Sequence, residues 1–145
     1  MKSIEEGGDL KGDALPEPEI SRLRDLRLKL LHLHKSLLEL ERVNFEKTFG
    51  RVTSGELLQL VINHAQFAWL RMISALVVEI DEMLNGDEPA TLSDVARLLA
   101  QARLLFTSSA NEEFHQKYQA ALQHEPAVVM AHSGLVKMLR MDRYK

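Results

Sequence analysis

Three polar residues interrupt the most apolar stretch of this chain, LLQLVINHAQFAWLRMISALVVEIDEML at 57–84. At ~100° per residue on a helix, His64, Arg71 and Glu82 fall within about 20° of one another. Leu57, Ala68 and Ala75 share that stripe, and the two alanines would let another helix approach closely. One use of such a stripe is a polar pocket, with His64 as acid, base or ligand and Arg71 as an anion clamp. The other is a structural pair, in which Arg71 meets a carboxylate from another helix or from a second subunit. Buried arginines are usually paired rather than catalytic, so the pair is the expectation.

The histidines raise metal chemistry. Carboxylate-bridged di-iron bundles use two Glu-x-x-His motifs plus glutamates from two further helices. Glu112-Glu113-Phe114-His115 supplies one such motif, and no second follows among His32, His34, His124 and His132. A mononuclear site drawn from three helices, as in DinB-like bundles, would use His34, His64 and His115, with His132 as a substitute for the last. A lone histidine beside an apolar seam, as His34 is, more often hydrogen-bonds within a core, and no cofactor is expected. The chain has no GxGxxG, Walker loop, GxSxG or HExxH. Ser108, Ser109 and Ser133 have no Gly-rich turn beside them to form an oxyanion hole, so no catalytic residue is assigned.

Composition narrows the classes further. The chain has 145 residues, enough for one domain with a real core. It has no cysteine, which excludes disulfides, thiolate metal sites and a cysteine nucleophile, and suits a reducing cytoplasm. Net charge is −3, with −4 in the first twenty residues and about +1 in the remainder. No broad positive field would draw a nucleic acid backbone, so nucleic acid is not an expected partner. The opening MKSIEEGGDLKGDALPEPEI lacks the apolar core of a secretory signal. A membrane span over 57–84 would place Arg71 near the hydrocarbon centre at ~2.5–3.5 kcal/mol, so burial within protein is expected instead.

The elements that must position these groups are helices. Residues 1–19 are acidic and rich in Gly and Pro, and read as a flexible tail before a single bundle domain over 20–145. Leu23, Leu26, Leu30, Leu33, Leu37 and Leu40 form a lengthwise seam on a first helix, from about Ser21 to Phe49, stopped by Gly50. Thr53-Ser-Gly-Glu56 reads as a capping box opening a second helix that continues to about Asn85. A third is expected over Ser93–Phe106, a fourth from a cap at Ser109 to about Gln123, and a last from Pro126. No strand-like alternation appears. The fold class is all-α: an up-down bundle of four to five helices whose two long N-terminal helices form an antiparallel hairpin. That hairpin would set Arg22, Arg24, Arg27 and Lys29 beside Glu79, Asp81 and Glu82.

LHKSLLELERVNFEKTFG, ELLQLVINHAQFAWLRMISALVVEIDE and QAALQHEPAVVMAHSGL together resemble a group of small bacterial all-α proteins of uncharacterised function. The resemblance spans residues 22–139, and its most specific parts are Phe67-Ala68-Trp69-Leu70-Arg71 and Ile80-Asp81-Glu82. It implies a bacterial, cytoplasmic setting and carries no activity with it. The resulting expectation is a non-enzymatic bundle acting through protein contacts as a homodimer, because the second helix is apolar on most of its circumference. The alternative is a metal- or small-ligand-binding bundle, with a site among His34, His64, Arg71 and His115.

Overall fold

A computed structural model describes residues 15–143, with side chains through Arg140. The expected acidic tail falls largely outside the described residues, and its last residues, Glu17–Glu19, already belong to a helix. The described chain is helical throughout: α1 (Glu17–Phe49), α2 (Ser54–Asn63), a 3-10 segment (Ala65–Leu70), α3 (Arg71–Asn85), α4 (Leu92–Thr107), α5 (Glu112–His124) and α6 (Pro126–Arg143). No strand occurs among the described residues.

At ~1.5 Å per residue α1 is about 50 Å long, and it is the axis of the fold. It admits Pro18 within its first turn, where a missing N–H costs nothing, so the helix starts earlier than its leucine pattern implies. Leu23, Leu26, Leu30, Leu33 and Leu37 are fully buried along one face against α3 and α6. Gly50 ends the helix at φ 90°, a left-handed conformation that strains any residue with a side chain. Glu46 reaches past that end to accept the Val52 N–H at 2.9 Å, which ties the turn to the helix.

The expected capping box at Thr53/Glu56 is present, and the structure adds a second at Thr91/Asp94, which opens α4 at Leu92 rather than Ser93, each with side chain and backbone satisfied reciprocally. The cap of α5 differs from its sequence reading. Asn111, not Ser109, accepts the Phe114 N–H, because an Asx oxygen two residues nearer the apolar face closes the same orphan amide.

The largest departure is the second long helix. Instead of one helix from Thr53 to Asn85, the chain breaks at His64, and the two halves meet at 78°. Only α3 lies along α1. Arg27 pairs with Asp81 at 2.7 Å near one end, while Glu41 holds Gln66 and Trp69 near the other, so the two helices run in opposite directions. No single described helix is long and apolar enough to cross a membrane; α2 and the segment through Asn85 pass that test only together, across the bend.

The break has a packing cause. In a continuous helix Phe67 and Leu70 would point ~60° apart and Trp69 ~160° from Phe67, a wide arc for one buried face. In the 3-10 turn at ~120° per residue, Phe67 and Leu70 align and Trp69 lies to one side. All three are buried in the structure. Phe67 meets Phe45 of α1 with ring centres 6.0 Å apart, and Trp69 meets Phe114 of α5 at 5.4 Å.

Candidate functional site

The bend redistributes the polar stripe. His64 is the residue between the two helices, with an extended backbone, and its Nδ1 accepts the Gln66 N–H at 3.1 Å. Its ring stands edge-on to Phe45, 5.4 Å between centres. Arg71 does not meet a carboxylate. Its guanidinium turns back to donate to the carbonyl of Ile62, and to that of Val61 at 3.5 Å, closing the orphan C-terminal carbonyls of α2. Glu82 is exposed three turns further along α3. The common stripe of His64, Arg71 and Glu82 required a straight helix; with the chain bent, they do not form one pocket.

Arg71 is exposed, so its loss removes a cap without leaving a charge buried. Arg71→Met is expected to keep the helical far-UV spectrum and to cost about 1 kcal/mol in urea unfolding, the worth of one such hydrogen bond.

Nor do the three histidines converge. His34 is half-buried on α1, His64 sits at the bend, and His115 is on α5. Among the described residues no group of three or more His, Cys, Asp or Glu side chains is placed to hold a metal ion. The proposed triad His34, His64 and His115 needed three helices to aim inward at one level, and these helices spend their inward positions on leucine and aromatic rings.

The structure assembles two polar constellations that spacing alone did not reveal. The first centres on Glu41, whose carboxylate accepts the Trp69 Nε1–H at 2.7 Å and the Gln66 amide at 2.8 Å. It is the α1 side of the anchor that holds the 3-10 segment. A signal existed: Glu41 lies four residues after Leu37 and four before Phe45, both buried, so it sits on the apolar seam. The second joins α5 to α6, where the Tyr118 hydroxyl and His132 Nδ1 lie 2.8 Å apart. Burial pushes the Tyr118 phenol up, and burial together with the nearby Arg140 charge pushes His132 down. Both groups therefore stay neutral near pH 7 and share one hydrogen bond between hydroxyl and imidazole.

His34 is likewise pushed down by burial. For both histidines the folded pKa lies below the ordinary 6.5, so the unfolded chain takes up protons first as pH falls. Their stabilisation is whole above 6.5 and declines below it. The depressed carboxylates Glu39, Glu46 and Asp94 act separately, below about 4.5. The urea midpoint is expected to drop between about pH 7.5 and pH 5.5, and the drop should shrink in a His34→Gln/His132→Gln variant.

Two of the grooves among the described residues bear on binding. One, of about 390 Å³ between α3 and α4, is lined mainly by Met72, Ala75, Leu76, Leu104 and Leu105, with Arg71 and Glu79 at its rim. The other, of about 700 Å³, lies between α1, the 3-10 segment and α5, and gathers Lys47, Lys117 and His124 around Glu41 and Glu125. Beside the first stands α2, ten residues with none buried: Leu57, Leu60 and Val61 rest against the core, while Leu58 and Ile62 are more than half exposed. No protein-family model, curated protein or solved structure matches this chain, so what these surfaces do is read from their own geometry.

Proposed function

We propose that this chain is a non-enzymatic up-down helical bundle that works through protein–protein contacts, as a homodimer. The observation that carries this reading is α2. On this ten-residue helix Leu58 and Ile62 are more than half exposed, and covering that apolar side with another surface stabilises so short a helix. Leu57, Leu60 and Val61 rest against this chain's own core, while Leu58 and Ile62 face away from it, and a second copy is the proposed cover for that exposed side. Neither a nucleic acid nor a membrane is part of the proposal. The resemblance to small bacterial helical proteins supports a bacterial cytoplasm as its setting.

Size-exclusion chromatography with light scattering tests the dimer. The expected mass at micromolar concentration is twice that of the 16.5 kDa chain. A single-chain mass across that range would overturn the reading.

A second reading, a small-ligand-binding bundle, is favoured by the 700 Å³ groove rather than by the original histidine and arginine set. Lys47, Lys117 and His124 there could hold a small polyanion. A thermal upshift with citrate that Lys47→Met abolishes would support it; no shift at millimolar citrate would remove it.

A further inference from the structure

The outward face of α3 has an order that its role in the bundle does not require. Its inward face is Ile73, Leu76, Val77 and Ile80, all buried. Its exposed residues are Arg71, Met72, Ala75, Val78, Glu79, Glu82 and Asn85, and at ~100° per residue all but Asn85 lie within about 60° of Ala75. Four of these residues are matched in pairs about Ala75, while Glu82 and Asn85 have no counterpart on the helix. Arg71 and Glu79 lie four residues either side of Ala75, and Met72 and Val78 lie three residues either side. Opposite charges stand at one matched pair of positions and apolar side chains at the other.

We propose that two copies of this chain associate through α3, each helix packed antiparallel to its counterpart about a two-fold axis at Ala75. Arg71 of each copy then meets Glu79 of the other, and Met72 of each packs on Val78 of the other. This deepens the homodimer reading above, on which it rests, by naming a face on α3, separate from the exposed side of α2. An isologous interface must be self-complementary, and a binding face for an unrelated protein has no reason to be.

Three further features fit a second copy. Alanine at the crossing point lets two helix axes approach closely, where a larger residue would hold them apart. Val78 is 60% exposed and Met72 39% exposed, and pairing removes both from water. The groove alongside, floored by Leu76 and edged by Leu104 and Leu105, gives the second copy's apolar side chains a recess of about 390 Å³. The charges are also available. Glu79 has no ion-pair partner among the described residues. Arg71 spends one amino group on the carbonyls of Val61 and Ile62, which fixes its direction and leaves further N–H groups for a carboxylate.

The chain has no cysteine, so Ala75→Cys introduces a single thiol. On mild oxidation this variant is expected to form a disulfide-linked dimer nearly completely, while Ala127→Cys, exposed in the first turn of α6, does not. Ala75→Arg sets two like charges together at the axis and should weaken the dimer at least tenfold, with an unchanged far-UV spectrum. Arg71→Glu and Glu79→Arg should each dissociate alone and recover a dimer when mixed, since one ion pair is then restored with reversed sign and the other is the native pair. If the wild type is dimeric, yet Ala75→Cys stays uncrosslinked and Ala75→Arg stays dimeric, this face is wrong and the protein-contact reading stands. A monomeric wild type overturns both.

Discussion

Phe114→Ala is expected to lower the unfolding free energy by about 3–5 kcal/mol. The ring is 1% exposed and stands at the meeting point of three elements. It touches Trp69 of the 3-10 segment, Phe106 of α4 and Tyr118 of its own helix, with ring centres 5.3–5.8 Å apart. Truncation removes the transfer energy of a whole phenyl group and leaves a void that rigid aromatic neighbours close poorly. The geometry of those edge contacts adds to the loss. Urea unfolding followed by fluorescence measures it directly, because Trp69 is the only tryptophan and lies against the deleted ring. A change under 1 kcal/mol would mean that α5 is not packed on the 3-10 segment as described.

Glu41→Ala should follow at about 2–3 kcal/mol, a figure set by hydrogen bonding to a charged acceptor rather than by packing. Two donors lose their partner, and one of them, the indole N–H of Trp69, belongs to a side chain only 4% exposed. Glu41→Gln keeps an acceptor oxygen at the same place and is expected to recover more than half of the loss. The tryptophan emission maximum should shift in the alanine variant and stay put in the glutamine one. Equal losses in the two variants would show that charge, not the hydrogen bond to Trp69, holds the segment.

These two residues also show how far the sequence could be read. The seam of leucines on α1 was legible because its spacing is a property of the helix itself, and five of its six members are fully buried. Helix ends were legible where the closing group is local, as in the Thr53 capping box and at Gly50. The pairing of the first helix's basic end with the acidic end near Asp81 also follows from order along the chain, and Arg27 realises it.

The bend at His64 was not legible, and with it went the stripe of His64, Arg71 and Glu82. Locally, residues 54–85 satisfy the period of a single helix, and nothing within a turn of His64 forbids one. What breaks it is a carboxylate from 25 and 28 residues earlier, which draws in Gln66 and Trp69, and the room between α1 and α5 for Phe67 and Trp69. Arg71 then closes the freed carbonyls of α2. The chain alone thus determines that this protein is helical, where most of its helices begin and end, and which face of α1 is apolar, because those depend on neighbours within one or two turns. Only the tertiary structure decides that the apolar second helix is two helices, with one side of α2 and the Ala75 face of α3 exposed. Breaking a helix is repaid by burial against elements that are remote in sequence.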